Sequence, residues 1–401
     1  MGGAVRDALL GLQAAERDWV VVGSRPDEML KQGFRQVGAS FPVFLHPQSG
    51  EEYALARTEK KQGHGYHGFK VDFHPGVTLE EDLLRRDLTV NAMAQDENGR
   101  LIDPFGGQRD LELKVLRHVS DAFAEDPLRV LRVARFAARF AGLGFHVHPS
   151  TLEMMRTIVQ SGELEYLAPE RVWREFENAL SSGKPSEFIR VLRACGALAK
   201  LLPEVEGLFG VPQPEKHHPE IDTGEHVLMC LDVAGGLSDG AANVVFAVLL
   251  HDLGKGLTDK RHWPSHLRHE DTGVPLVDAV CKRMKVPNAV HDLARKVCAN
   301  HLRCHRILEA RPVTVLRLLE RLDVFRQPDL LPDFIVSCES DYLGRKGLQD
   351  RPYPQGEFLM AAYRAAAAIR ARDLDLEAVT GPQVGEHLKR ARIEAIAGLT
   401  G

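Results

Sequence analysis

Every strand candidate in this chain lies before residue 103, and that asymmetry restricts the fold more than any other feature. The stretches 19–22, 41–45, 52–57, 71–73 and 101–102 are short, β-branched or aromatic, and bounded by Gly, Pro or Asn, as strands are. Residues 82–94 read as a helix among them. From Asp126 onward strand signals stop, and 129–141, 149–160, 169–180 and 185–202 read as helices, the later ones opened by proline or serine. Residues 209–219 form a proline-rich polar linker. Beyond about Asp222 the chain is again helical and rich in histidine, and 350–355 join the last helices. A chain of 401 residues exceeds one ordinary core and predicts two to four domains. The pattern divides it into an α+β head (1–125), a helical neck and body (126–210), a histidine-rich helical domain (222–345) and a helical tail (346–401).

Composition narrows the class. With 44% apolar and 27% charged residues the chain has the make-up of a soluble globular protein. No run of about 18 apolar residues predicts a membrane span, and MGGAVRDALLG lacks the basic-then-apolar layout of a signal peptide. Six scattered cysteines without a C-x-x-C pair argue against a zinc knuckle and fit reduced thiols in a cytoplasm. A net charge of −5 gives no global pull toward nucleic acid, so an RNA partner needs a local patch.

Glu16 and Asp18 stand at the mouth of the apolar run Trp19-Val20-Val21-Val22. Side chains at i and i+2 of a strand share a face, roughly 6.6 Å apart. Two acids so placed repel each other unless a cation lies between them, and Mg²⁺ is the usual one where phosphates are handled. On the pair alone, solvated turn residues are the commoner reading. The context reverses it. Gly2-Gly3 enters a helix ahead of the pair, Arg6 follows on that helix, and Gly23-Ser24 closes the strand. Backbone N–H groups at such a helix start, with a guanidinium beside them, suit phosphate oxygens.

Two arginine clusters follow. Arg85-Arg86-Asp87 lies in the predicted helix 82–94, where adjacent arginines point about 100° apart; alone, this is an ordinary solvated face. The second cluster is Glu125-Asp126-Pro127-Leu128-Arg129, continued by Arg132, Arg135 and Arg139. With Asp126 as cap and Arg129 at 0°, the other three arginines fall at about 300°, 240° and 280° on a helical wheel. Four guanidiniums then share roughly one third of the surface, opposite Val130, Leu131, Val133, Ala134, Ala137 and Ala138. Such a row, uncompensated, calls for anions.

In the histidine-rich part, His251-Asp252 ends an apolar run and precedes Leu-Gly-Lys-Gly. Imidazole suits Zn, Ni, Co or Mn, and a carboxylate can bridge two ions. His226 lies upstream. His262, His266, His269, His301, His305 and Asp341 lie downstream, with Asp323 competing with Asp341 as the distal acid and His301 a further candidate. A single buried His-Asp pair is more often structural than metal-binding. Lys255 is placed to hold a phosphate.

GGAVRDALLG…ERDWVVVG resembles the nucleotidyltransferase head of the DNA polymerase β superfamily, in the branch that holds class II CCA-adding enzymes and bacterial poly(A) polymerases. RRDLTVNA (Arg85–Ala92) and EDPLR (Glu125–Arg129) resemble that branch's head and neck motifs. H…HD…D resembles the HD phosphohydrolase superfamily. The two together, with HPEIDTGEH (218–226) and YPQG (353–356), resemble the multifunctional bacterial CCA-adding enzymes. The resemblance implies a polymerase β-like α+β head, a mostly α-helical neck and body, and an α-helical HD domain. It implies addition of CCA to tRNA 3′ ends from CTP and ATP with Mg²⁺ on Glu16 and Asp18, and Gly3, Arg6 and Arg86 seating the nucleotide. Asp126 and Arg129 would offer an acceptor and a donor to the base, with Arg132 and Arg135 also on the nucleotide, while Asp87 and Asn91 act as supports. It further implies phosphatase and 2′,3′-cyclic phosphodiesterase activity favouring Ni²⁺ or another transition metal on His226, His251, Asp252 and Asp341. The expected enzyme is a cytoplasmic monomer or homodimer. The sequence departs from the pattern twice: Glu16 replaces the first aspartate, which shifts the metal unless the backbone retracts, and only Met1 precedes the Gly-Gly turn where the family has a strand. Poly(A) polymerase, and an RNA-binding phosphohydrolase with an inactive head, are the alternatives.

Overall fold

The computed structural model describes residues 1–13, 17–37, 43–61, 69–371 and 382–399. Two compact units share them: Met1–Ala179 with Glu187–Leu201, and Leu180–Ser186 with Leu202–Gly401.

The first unit opens on helix α1 (Gly3–Leu9), then β1 (Asp18–Val21), α2 (Pro26–Lys31), β2 (Arg35–Val37), β3 (Val43–Leu45) and β4 (Glu52–Leu55). The sheet runs β1-β4-β3-β2. Strand β1 pairs parallel with β4, Asp18 opposite Glu52 and Val21 opposite Leu55, and the other pairings are antiparallel. Met29, Phe44 and Leu55 form its core, with Val21, Phe34, Tyr53 and Phe73 packed against them. A hairpin of β5 (Thr58–Lys61) and β6 (Phe69–Asp72) follows.

Helix α3 (Leu79–Leu84) starts on a capping box between Thr78 and Glu81 and stops ten residues short of the predicted 94. The reason is local. The buried Asp87 carboxylate accepts from its neighbour's backbone, Leu88 N, at 2.8 Å and from Asn91 Nδ2 at 3.0 Å. That offers the chain an alternative to the helical ladder. Thr89–Asn91 makes a single 3-10 turn, and Ala94–Gln95 pairs with Leu101–Ile102 as a short antiparallel ribbon. The Arg85-Arg86 segment therefore lies at and beyond a helix end, not within a helix.

After α4 (Gly107–Glu112) come α5 (Leu128–Phe140), α6 (Pro149–Gln160) and α7 (Pro169–Leu180), close to the predicted helices. Helix α5 buries Val130, Leu131, Val133, Ala134, Ala137 and Ala138, the apolar face read from the wheel. The single helix predicted over 185–202 is two, α8 (Pro185–Ala194) and α9 (Ala197–Leu201). Gly196 between them adopts φ +80°, a turn that glycine makes without penalty and that ends an α-helix.

The second unit is helical: α10 (Pro203–Glu206), α11 (Thr223–Leu237), α12 (Ala242–Leu250), α13 (His269–Met284), α14 (Asn288–His305), α15 (Pro312–Arg321), α16 (Leu330–Leu343), α17 (Pro354–Ala368) and α18 (Pro382–Ala397). The sequence ANVVFAVLL makes α12 apolar all round, and Val244 to Leu250 are buried without exception. Such a helix belongs at the centre, and α11, α14 and α16 surround it. It delivers His251 and Asp252 at its C-terminal end, inside the bundle. All six cysteines are free and buried.

Candidate active sites

In the first unit a cleft of about 680 Å³ is lined by nine arginines (6, 57, 85, 86, 129, 132, 135, 139 and 171) against three aspartates (18, 87 and 126), together with Gly3, Asn91, Leu128 and Phe136. The arginines are held, and this corrects the expectation of an uncompensated row. Arg139 Nη2 donates to Asp7 Oδ2 at 2.9 Å and Arg6 Nε to Asp7 Oδ1 at 2.8 Å. Arg6 Nη1 donates to Asn91 Oδ1, and Asn91 in turn donates to Asp87. Arg132 grips Asp87 Oδ2 at 2.7 Å, and Arg135 Nε donates to Glu175 Oε2 at 2.6 Å. This chain of bonds joins α1, the 87–91 segment, α5 and α7. Behind the lining, Asp7, Asp82 and Glu175 bring the acids to six, so nine guanidiniums still leave the cleft cationic.

Charge placement sets the ionisation. Burial alone would raise the Asp87 carboxyl, but Arg132 and the bonds from Asn91 and Arg132 hold it well below the carboxylate range. Asp87 in turn raises Arg132. Arg129 is buried, and its two terminal nitrogens donate to the carbonyls of Ala122 at 2.5 Å and Arg85 at 2.6 Å. Pro127, not the expected Asp126, is the cap residue of α5; Asp126 accepts from Leu128 N at 3.0 Å and from Arg171 Nη2 at 3.2 Å. Arg86 reaches Asp82 at 3.4 Å and packs over the Gly-Gly turn. Gly2 has φ +64°, a conformation that favours glycine, and a Cβ there would lie 2.7 Å from the movable Arg86 Nη1. Asp18 begins β1 with an exposed side chain facing the cleft. Glu16 lies outside the described residues.

In the second unit Asp222 caps α11 by accepting from Glu225 N at 3.0 Å, and the first turn turns His226 inward, fully buried. His226 Nε2 is 3.1 Å from Asp341 Oδ1, His251 Nε2 is 3.2 Å from Asp252 Oδ2 and 3.8 Å from Asp341 Oδ1, and all four side chains are buried. His269 Nε2 and His301 Nε2 lie 3.2 Å and 3.8 Å from Asp252 Oδ1. The other nitrogen of each ring is spoken for. Nδ1 of His251 lies 2.7 Å from Val248 O, that of His269 2.8 Å from His266 O, that of His301 3.1 Å from Cys298 O, and that of His226 2.9 Å from Glu220 Oε1. A carbonyl or carboxylate at Nδ1 holds a proton there, which leaves Nε2 as a lone pair whenever the ring is neutral. Four Nε2 atoms thus converge on two carboxylates.

That donor set fits a metal ion. His251 Nε2 and Asp252 Oδ1 are buried without a hydrogen bond, despite charged neighbours at 3.2 Å, and an ion would satisfy both. Ligand atoms of His226, His251 and Asp252 lie within 4.8 Å of one another, as do those of Asp252, His269 and His301, so Asp252 is common to two groups. Burial keeps His301 neutral, well below the usual imidazole range. Burial would raise Asp252 and Asp341, but His251 with Lys255, and His305 with His251, hold them ionised. Burial would lower His226 and His269 too, but Cys230, Asp341 and Glu220 raise the first and Asp252 the second, so an ion taking their Nε2 atoms would displace protons as it binds.

Known proteins fit this geometry. The Poly A polymerase head domain matches residues 1–117, the probable RNA and SrmB-binding site of polymerase A matches 144–208, and the HD domain matches 223–326. The multifunctional CCA protein of Pseudomonas aeruginosa is 58% identical over 396 residues, 99% of this chain and 96% of the relative. That of Alkalilimnicola ehrlichii is 56% identical over 399 residues, covering 100% and 96%. The chain belongs to the multifunctional CCA protein family. It is thus an enzyme with a CCA-type nucleotidyltransferase head and an HD domain, and both parts imply dependence on divalent metal. The fold agrees with the Bacillus stearothermophilus CCA-adding enzyme in complex with CTP (TM-score 0.66, 24% identity, 99% of this chain and 88% of that one). It agrees also with the Thermotoga maritima CCA-adding enzyme complexed with tRNA (0.61, 21%, 99% and 86%).

In this CCA-family member the cleft gathers Gly3, Arg6, Asp18, Arg86, Asp126, Arg129, Arg132 and Arg135, all singled out in the sequence, and adds Arg57, Arg85 and Arg171. The second unit gathers His226, His251, Asp252 and Asp341, and adds Glu220, His269 and His305. His305 Nε2 lies 2.7 Å from Asp341 Oδ2. Glu220 sits in the HPEID stretch, where an acid six residues before a ligand histidine was the available signal. Nothing in the local sequence around Arg57 or Arg171 distinguishes them from surface arginines. No helix of the described residues is long and apolar enough to cross a membrane.

Proposed function

We propose that the chain adds CCA to tRNA 3′ ends from CTP and ATP, releasing pyrophosphate, and that its HD unit hydrolyses phosphomonoesters and 2′,3′-cyclic phosphodiesters. The observation that carries the first activity is the arginine cleft with Asp18 at its edge and Asp126 and Arg129 in its lining. Arg6, Arg86 and the Gly2-Gly3 turn seat the triphosphate, Arg132 and Arg135 bind the nucleotide further along α5, and Phe136 offers an apolar floor. Asp126 accepts and Arg129 donates, the edge of a template base supplied by protein. Mg²⁺ held by Glu16 and Asp18 would acidify the tRNA 3′-hydroxyl and neutralise the phosphates.

In the HD unit His226, His251, Asp252 and Asp341 would hold Ni²⁺ or another transition metal, which supplies an activated water and charge stabilisation for the leaving oxygen. His269 and His301, converging on Asp252, extend the set toward a second ion. Glu220 and the carbonyls at Nδ1 orient the ligands. Acting on tRNA, the enzyme belongs in the cytoplasm, as a monomer or homodimer. The functional parts follow the four-part division into head, neck and body, HD domain and tail.

The deciding experiment supplies a tRNA ending at position 73 with CTP, ATP and Mg²⁺. Two cytidines and one adenosine are expected. Addition of A alone identifies a poly(A) polymerase. No addition until Glu16→Asp is introduced identifies a head-inactive RNA-binding phosphohydrolase.

A further inference from the structure

Among the described residues Arg345 donates no hydrogen bond, although its side chain is only 15% exposed. It follows the end of α16 by two residues. Its Nε is buried and unpartnered. Its nearest carboxylate oxygen, Asp341 Oδ1, stands 3.6 Å from Nη2, beyond hydrogen-bond length. That carboxylate is already engaged by His226 on Oδ1 and His305 on Oδ2. Tyr342 gives the guanidinium a ring to lie against, 5.5 Å from the centroid, but no acceptor. A guanidinium stays charged at any working pH, and a largely buried one whose N–H groups find no hydrogen-bond acceptor is costly. The missing acceptors are those of an anion.

Lys255 does not meet that need. Its Nζ is held at 2.6 Å by Asp252 Oδ2 and at 2.5 Å by Gln213 Oε1, which spends two of its three protons. Arg345 keeps its fork beside the oxygen that His226 and His251 also face. We propose that Arg345 binds the phosphoryl oxygens of the HD unit's substrate, a phosphomonoester or cyclic phosphodiester, its planar fork taking two non-bridging oxygens. This rests on the reading of the second unit as a metal phosphohydrolase.

The test uses the full-length chain loaded with Ni²⁺, as wild type, Arg345→Ala, Arg345→Lys and Asp252→Asn. Inorganic phosphate binding is measured by calorimetry, 2′,3′-cyclic AMP hydrolysis by KM and kcat, and nickel content by elemental analysis. Arg345→Ala is expected to weaken phosphate binding and raise KM by about tenfold or more, with nickel content unchanged, and Arg345→Lys to recover part of the loss. Unchanged phosphate affinity in Arg345→Ala overturns the proposal, as does loss of nickel, which would make Arg345 a support for Asp341. Phosphate binding that depends on Arg345 in a protein that hydrolyses no ester upholds the anion site and removes the phosphohydrolase reading instead.

Discussion

Asp87 shows how one buried acid sets a cationic site. It holds Arg132 on one oxygen and Asn91 on the other, and Asn91 holds Arg6. Asp87→Asn removes one partner of a largely buried ion pair. Such a change costs about 3–5 kcal/mol, and the low end applies because the Arg132 side chain keeps 37% exposure. Urea denaturation should show a loss near about 3 kcal/mol, with CTP binding weakened in parallel. The pH dependence has a definite sign. The folded carboxyl is held below its ordinary value, so its contribution is complete above about pH 3.9 and is lost as pH falls below that. Wild type and Asp87→Asn should therefore differ by a constant amount at neutral pH and converge in acid. An unchanging gap down to pH 3 would mean that Arg132 is not what holds Asp87 ionised.

At the scale of elements, the HD site depends on how closely α11 and the end of α16 approach. A Cβ on Gly344 would lie 2.4 Å from Cys230 Sγ and 2.6 Å from Cys230 Cα. Gly344→Ala must push the α16 end outward, and with it Asp341 away from His226, one turn before Cys230. Nickel affinity should fall by about tenfold or more while the far-ultraviolet spectrum stays helical. Gly236→Ala on the same α11 has nothing within 4 Å of its new Cβ and should bind nickel as the wild type does. Equal affinities for the two variants would contradict the account.

The same scale separates what was legible in the sequence from what was not. The arginine face of α5 and the apolar α12 were readable because helical periodicity is local. The acids that hold those arginines were not, since Glu175 and Asp7 lie 40 and 132 residues from Arg135 and Arg139. The predicted helix over 82–94 failed because its pattern was apolar enough, while the outcome was decided by Asp87 bonding its own backbone. His226 and Asp341, 115 residues apart, were found by motif and not by physics. His269 and His305 were seen among many histidines without a means of ranking them until their Nδ1 partners were visible.

For the whole molecule, two compact units carry two chemistries. Substitutions deep in one should leave the other within about twofold, as independent sites do. Asp252→Asn should abolish hydrolysis of 2′,3′-cyclic AMP and preserve nucleotide addition. Arg135→Ala, which loses its cleft guanidinium and leaves Glu175 unpaired by it, should lower CTP and ATP incorporation by about tenfold or more and preserve the hydrolysis. Assays on the same preparations check both, and a joint loss in either variant would show that the activities are coupled.

The carboxylates tethered behind the cleft's arginines have one more effect. Freezing a long cationic side chain costs about 1.5–2 kcal/mol in lost rotamer freedom, and here folding has frozen several of them already. An arriving triphosphate meets fixed donors and gives up little disorder, so the cleft behaves as a rigid gauge. A rigid gauge that must accept first one base and then another cannot do so by swinging its arginines; the change in what it admits has to come from whatever occupies the space beside them.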